Sequence, residues 1–126
     1  MEYPLRMWSM EVTTQYEHAA KWYAKKRPVE LGAVLRNLSR YIEQLNIARN
    51  MVIVEAGYIH HEPHGVVAID QKGSGKSLQE TRLYTYPDMG QKVLYLITIG
   101  NKDEQPNDIA VCNEFVESII KSQESK

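Results

Sequence analysis

The segment 70–77, DQKGSGKS, contains residue types that can hold a phosphate. It ends like the P-loop motif GxxxxGK[ST], whose backbone N–H groups and lysine bind nucleotide phosphates. The first glycine of that motif should stand at position 70, where the chain has Asp70, a carboxylate that repels phosphate. Residues 78–86 then alternate like a strand, so no helix N-terminus faces the phosphate. We therefore expect no nucleotide site, but a loop between two strands that carries Lys72 and Lys76.

A second segment, HHEPH at 60–64, contains the imidazole and carboxylate groups that bind zinc. The neighbouring residues His60 and His61 would point to opposite sides of an extended chain, and the sequence offers no second ligand cluster. The single cysteine, Cys112, excludes a multi-cysteine zinc site and an internal disulfide. We therefore expect no metal, a polar loop in which one histidine could lie near a site, and Cys112 as a small buried hydrophobic residue.

The third candidate is a group of cations and phenols. By the period of two, four side chains of segment 78–86 share one face of a strand: Glu80, Arg82, Tyr84 and Tyr86. Three lysines lie in the adjoining turns: Lys72, Lys76 and Lys102. Arginine and lysine near tyrosines suit an RNA backbone with stacked bases, and cations also stabilise the charge that develops when a phosphodiester is cleaved. The alternative is a set of surface ion pairs with tyrosines at a sheet edge.

The first half of the chain predicts one strand and a helical hairpin. Apolar and polar residues alternate over 7–13, which indicates a half-buried strand. Helical spacing follows over 14–26, where Thr14 can cap the start. A second helix begins near Pro28, and its apolar residues between 31 and 45 recur at three- and four-residue steps. Because almost nothing separates the two helices, we expect them to pack antiparallel.

The second half predicts a meander of strands and a last helix. Residues 51–59 fit either a strand or a buried linker. Three strand-like segments follow, at 65–70, 78–86 and 92–100, and the third is apolar on both faces, as a central strand covered on both sides would be. A helix with Asn107 or Asp108 as its cap ends the chain. The sequence therefore predicts one α+β domain over 1–126, with a small antiparallel sheet, an N-terminal helical hairpin packed on it and a C-terminal helix.

Composition limits the class of protein. The 126 residues suit one domain, and 43% hydrophobic with 25% charged residues is ordinary for a soluble protein. No apolar run approaches the roughly 18 residues of a membrane span, and the start lacks the apolar region of a signal peptide. A cytoplasmic protein without a membrane partner is the expectation.

The charge is small overall but uneven. A formal net charge of −1 argues against a protein that wraps DNA through bulk positive charge. Residues 14–49 nevertheless hold seven lysines and arginines against three acids. This stretch predicts a local basic face, and the alternative is an ordinary solvated helix surface.

The order of elements and three short motifs resemble the RelE/ParE toxin superfamily, and its HigB-like branch in particular. The motifs are a strand with arginine and tyrosine (TRLYTYPD), an apolar strand leading into Lys-x-Glu-Gln (VLYLITIGNKDEQPNDI) and the last helix (CNEFVESII). By local motif the resemblance covers about residues 65–120, and by order of elements the whole chain. The preceding strand departs from the family pattern, because GVVAIDQKG has Asp70 and Lys72 where the family usually ends that strand in arginine.

The resemblance implies a ribosome-dependent mRNA endonuclease, the toxin of a toxin–antitoxin pair, whose partners are an antitoxin protein, the ribosome and mRNA. Such toxins use lysine and arginine to hold the scissile phosphate while a ribose 2′-hydroxyl attacks it, without a metal or another cofactor. By position, Arg82 would contact the phosphate, Lys102 is the lysine of the Lys-x-Glu-Gln stretch, and Lys72 matches by location. RNA-binding roles fall to Lys76, Tyr84 and Tyr86.

Two alternatives remain open on the sequence alone. The near-neutral charge and Asp70 favour a non-enzymatic protein of the same fold that acts by binding a protein, as the ParE branch does with gyrase, or that has lost cleavage. A small metal-dependent hydrolase using the HHEPH segment is the other.

Overall fold

The structure, a computed structural model, describes residues 7–47, 55–73 and 77–124. Within these residues the strands are β1 Ser9–Val12, β2 Ile59–His61, β3 Val67–Asp70, β4 Thr81–Asp88 and β5 Val93–Asn101. The α-helices are α1 Thr14–Lys26, α2 Pro28–Ile47 and α3 Gln105–Glu124. Two short 3-10 helices, Pro63–Gly65 and Lys102–Glu104, precede β3 and α3.

The strands form one mixed sheet in the order β1-β5-β4-β3-β2. Strands β2 to β5 pair antiparallel as a meander, which confirms the predicted α+β fold with its helical hairpin and C-terminal helix. The predicted sheet was antiparallel throughout, whereas β1 pairs with β5 in parallel. Short turns force antiparallel pairing within the meander, but most of the chain separates β1 from β5, so no turn fixes their direction.

The start of α1 is tied to the sheet. Thr13, one residue before the predicted cap, accepts a hydrogen bond from the Tyr16 N–H at 3.0 Å through its hydroxyl, which also donates to the Ile97 carbonyl at 2.7 Å. A single residue, Arg27, separates α1 from α2, and Pro28 stands at the first position of α2 as predicted. The helical hairpin is therefore attached to the sheet at its beginning.

Two cores lie on opposite faces of the sheet. On one face the helical hairpin buries residues of α1 and α2 against β3, β4 and β5, including Tyr23, Val34, Leu38, Ile69 and Leu83. On the other face α3 covers a smaller core: Val66, Ala68, Tyr84, Ile97, Cys112 and Val116. Strand β5 contributes to both cores, as its apolar sequence predicted. Cys112 is only 1% exposed, which confirms it as a buried residue.

The entry to α3 differs from the prediction. Neither Asn107 nor Asp108 is the cap; instead Asn101 and Glu104 form a capping box on the 3-10 helix that leads into α3. Asp108 turns inward and lies against Gly100 of β5, where a Cβ would overlap its carboxylate. The side chain of Asp108, which the sequence offered as a cap, is therefore buried where α3 contacts the sheet.

Of the ambiguous stretch 51–59, residues 51–54 lie outside the described residues, and β2 begins at its last position, Ile59. Positive φ angles at His64 (64°) and Gly65 (80°) turn the chain from β2 back into β3. Within the described ranges, no helix combines the length and the apolar character needed to cross a membrane.

Candidate functional site

The register of the meander brings one end of three strands together. Asp70, the last residue of β3, pairs with Arg82 near the start of β4, and Arg82 pairs with Gly100 near the end of β5. Lys72 follows Asp70, and Lys102 follows Gly100, at this same end of the sheet. The predicted site residues Lys72, Arg82 and Lys102 therefore lie at the same end of the sheet.

A close His–Asp pair lies at this end of the sheet. The Nε2 atom of His60 is 2.6 Å from Oδ2 of Asp70. Asp70 is 2% exposed, whereas the His60 side chain is 27% exposed. When the carboxylate is ionised, the Nε2–H of His60 donates a hydrogen bond to Asp70. The other ring nitrogen, Nδ1, then has the lone pair that can accept a proton. A buried carboxylate that orients an imidazole in this way is the arrangement that general-base histidines use.

Asp70 also organises the residues that follow it. Its Oδ1 accepts a hydrogen bond from the Lys72 N–H at 2.8 Å, and its Oδ2 is 3.6 Å from the Lys72 Nζ. The Lys72 side chain is 62% exposed, so its ammonium group is accessible to a ligand. The carboxylate expected from sequence to oppose phosphate therefore holds a histidine and a lysine in place.

Arg82 is held by two carboxylates. Its Nη1 is 3.3 Å from Glu62 Oε1, and its Nη2 is 3.1 Å from Glu80 Oε1. The Arg82 side chain is only 16% exposed, and its buried Nε has no hydrogen-bond partner among the residues described. A phosphate would have to compete with both glutamates for the guanidinium group.

These groups line a surface cavity of about 350 Å³, whose walls are His60, Asp70, Gln71, Lys72, Leu78, Glu80 and Arg82. Together with Glu62 they bring three carboxylates against two permanent cations, so the cavity has a formal charge of −1 when His60 is neutral. With His60 neutral, the exposed ammonium group of Lys72 is therefore the main attraction of the cavity for a phosphate.

Helix α2 supports the floor of the cavity. Asn37, which is 2% exposed, donates from Nδ2 to the carbonyl oxygens of Asp70 and Lys72, both at 2.9 Å. The Gln71 Oε1 accepts a hydrogen bond from the Thr81 N–H at 2.9 Å, which joins the two ends of the β3–β4 connection. The turn that carries Asp70 and Lys72 is therefore fixed from two sides.

Of the other predicted site residues, the described ones (Tyr84, Tyr86 and Lys102) do not line the cavity. Lys102 is exposed on the 3-10 helix and is not part of the cavity wall, and Lys76 lies outside the described residues. Tyr84 is 0% exposed and packs under α3, so the prediction that it stacks on a base is corrected. Tyr86 stacks against Tyr95, with ring centroids 6.5 Å apart. It lies four residues along β4 from Arg82, or roughly 13 Å at the usual strand rise.

A second set of buried polar side chains lies between the sheet and α3: Tyr84, Asp108 and Cys112. The hydroxyl of Tyr84 and the Oδ2 of Asp108 have no hydrogen-bond partner among the described residues. Burial, with a contribution from Glu104, raises the pKa of Asp108 to about 6. Burial and the nearby carboxylates of Asp108 and Glu62 raise the pKa of the Cys112 thiol to about 12, so this thiol is not a nucleophile.

The HHEPH histidines separate as the alternation predicted. His60 contacts Asp70, whereas His61 Nε2 is 3.3 Å from Glu55 Oε1. Over residues 7–47, 55–73 and 77–124, no three His, Cys, Asp or Glu side chains are grouped as metal ligands. The sequence did not predict Asn37, which stands in no recognisable motif, or Glu62, which the HHEPH segment offered as a zinc ligand rather than as a partner of Arg82.

The β3–β4 connection joins two antiparallel strands, as predicted for the P-loop-like segment, and its described residues, 71–73 and 77–80, form no helix. Comparison of the chain with protein-family models, with curated proteins and with solved structures gives no match.

Proposed function

We propose that this chain is a metal-independent endoribonuclease, the toxin of a toxin–antitoxin module that cleaves mRNA on the ribosome in the cytoplasm. The observation that carries the proposal is the 2.6 Å pair of His60 with buried Asp70, placed in one cavity with Lys72 and Arg82. The order of elements that resembles the RelE/ParE superfamily supports it further. An antitoxin protein is the regulatory partner in this proposal.

The proposed reaction is a transesterification within the RNA, in which the phosphorus exchanges its ester bond to O5′ for one to O2′. His60, oriented by Asp70, takes the proton of a ribose 2′-hydroxyl, and the 2′-oxygen then attacks the neighbouring phosphorus. The P–O2′ bond forms as the P–O5′ bond breaks, which leaves a 2′,3′-cyclic phosphate, and the departing O5′ takes a proton from solvent. Because the nucleophile belongs to the substrate, the reaction requires RNA rather than DNA.

The cations have unequal roles in this proposal. Lys72 is the accessible cation, because its side chain is 62% exposed and its Nζ lies as far as 3.6 Å from Asp70 Oδ2. Arg82 contributes to charge stabilisation only as its contacts with Glu62 and Glu80 loosen. Lys102 lies outside the cavity and would meet the RNA beyond the scissile phosphate.

A cleavage assay with a matched pair of variants tests the proposal. Purified protein is incubated with ribosome-bound mRNA in magnesium buffer and, separately, with single-stranded RNA in the presence of a chelator, and the product ends are analysed. We expect 2′,3′-cyclic phosphate ends, and a loss on the order of 100-fold or more for His60→Ala. His61→Ala is the control, because His61 contacts Glu55 outside the cavity, and it should stay near the wild-type rate. Intact RNA with the wild-type protein, or equal rates for both variants, would contradict the proposal.

A second candidate, a protein-binding module that does not cleave RNA, is favoured by β1. Met10 and Val12 are 51% and 46% exposed on this strand at the edge of the sheet. In this candidate, expression arrests growth while RNA stays intact, and His60→Ala arrests growth as the wild-type protein does. Inhibition of gyrase supercoiling by the purified protein would then identify a ParE-like activity.

A further inference from the structure

One tryptophan of the helical hairpin faces solvent. Trp22 of α1 is 52% exposed, and its ring meets Tyr23 edge to face with centroids 5.0 Å apart. A cavity of about 220 Å³ adjoins it, lined by Ala19, Trp22, Tyr23, Ile99 and Glu104. A half-exposed indole beside a cavity offers an apolar face on which a flat ring can stack.

The charges around Trp22 select the kind of ligand. On a helix, residues three and four positions apart are neighbours, so His18, Lys25 and Lys26 surround Trp22 on the surface, and all three are exposed. One acid, Glu104, also lines the cavity, and its Oε1 accepts a hydrogen bond from the Asn101 N–H at 3.3 Å. The exposed indole is therefore flanked by lysines, as stacking sites for single-stranded nucleic acid are.

We propose that Trp22 is a stacking subsite for a base of single-stranded RNA, with Lys25 and Lys26 on the flanking phosphates. The identity of the polymer rests on the proposed ribonuclease function. A protein helix is disfavoured as the occupant, because the cavity is small and the exposed helix positions next to Trp22 hold His18, Lys25 and Lys26 rather than an extended apolar surface.

The path from the catalytic cavity supports this placement. Arg82 pairs with Gly100, the chain continues into the 3-10 helix Lys102–Glu104, and Glu104 lines the cavity at Trp22. An RNA strand that leaves the His60 cavity around the end of the sheet would thus meet Lys102 and then Trp22. The basic stretch of the sequence and the outlying Lys102 both gain a role on this path.

Fluorescence can report stacking directly, because the chain has two tryptophans and Trp8→Phe leaves Trp22 alone. The ligand is a 2′-O-methyl RNA oligonucleotide, which lacks the attacking hydroxyl and cannot be cleaved. We expect it to quench the fluorescence of Trp22, whereas an abasic oligomer of the same length should bind more weakly and quench little. In the chain that retains Trp8, Trp22→Ala should weaken binding about 10-fold and Trp22→Phe much less.

The control variant is Ile47→Ala, which removes another exposed apolar side chain (63%, against 52% for Trp22) at the far end of α2. Absence of quenching while wild-type protein cleaves RNA would overturn the subsite alone, and so would equal binding by Trp22→Ala and Ile47→Ala or equal quenching by the abasic oligomer. Quenching and binding without any cleavage of natural RNA would overturn the ribonuclease and leave the subsite in place.

Discussion

Two aspartates are buried to a similar degree in this protein and have opposite surroundings. Asp70, 2% exposed, contacts the His60 ring, the Lys72 N–H and the Lys72 ammonium. Asp108, a residue of α3 that is 4% exposed, faces Gly100 of β5, with one oxygen unpartnered among the described residues and a pKa raised to about 6. The comparison teaches that burial alone does not mark a functional carboxylate: the one whose partners are a histidine and a lysine at a cavity is suited to chemistry.

The largest expected effect comes from Asp70→Asn. An amide in place of the carboxylate cannot hold the same imidazole tautomer, so we expect RNA cleavage to fall on the order of 100-fold, about as far as when His60 itself is removed. Single-turnover rates measured above and below neutral pH would check this. The control is Asp103→Asn on the exposed 3-10 helix, which should cleave normally. A wild-type rate for Asp70→Asn would remove the distinction between the two buried aspartates.

Asp108→Asn should act in the opposite direction, on stability. Because the pKa of Asp108 is raised from 3.8 to about 6 on folding, the folded state retains this proton over that range, and the free energy of unfolding falls as pH rises from about 4 to 6. The variant should therefore be more stable than wild type at pH 7 to 8, by up to about 3 kcal/mol, with no gain near pH 3.

Urea unfolding at several pH values measures this difference, and cleavage should change little in the variant. A stability gain that does not depend on pH, or a loss at pH 8, would show that Asp108 is not a buried acid with a raised pKa.

A third substitution, Asn37→Ala, tests how far the position of Asp70 depends on helix α2. The variant leaves the carbonyls of Asp70 and Lys72 without their buried donor, so we expect about 1–3 kcal/mol less stability. Cleavage should fall about 10-fold at temperatures where the protein stays folded, because the turn that positions Asp70 loosens. The exposed Asn107→Ala is the matched control. A folded variant with normal kcat would assign Asn37 to stability alone.

Periodicity made most of the fold predictable. The apolar stripe of α2 and the turn formers between strands predicted the hairpin, the meander and the last helix. The parallel pairing of β1 could not be predicted, because it depends on contacts between residues 9–12 and 93–96, which lie far apart in the sequence. Asp108 was read as a cap because aspartate favours helix starts, whereas the tertiary contact with Gly100 buries it.

The site was harder to predict than the fold. Alternation placed Arg82 on one face of a strand, and turn formers placed Lys72 in the adjoining loop, but only the strand register brings His60 of β2 beside Asp70 of β3. The same alternation put Tyr84 with Arg82 on one face without showing that α3 covers that face at Tyr84. Sequence pattern identifies the face of a strand, while the covering element decides whether that face is a surface or a core.

The measurement that most directly tests the central claim is chemical rescue of His60→Gly. If the imidazole of His60 is the base, this variant should cleave RNA roughly 100-fold more slowly than wild type, and added imidazole should restore part of the rate in proportion to its unprotonated concentration. His61→Gly should need no rescue. Wild-type cleavage by His60→Gly, or a slow rate that imidazole leaves unchanged in a folded protein, would contradict the assignment of His60 as the catalytic base.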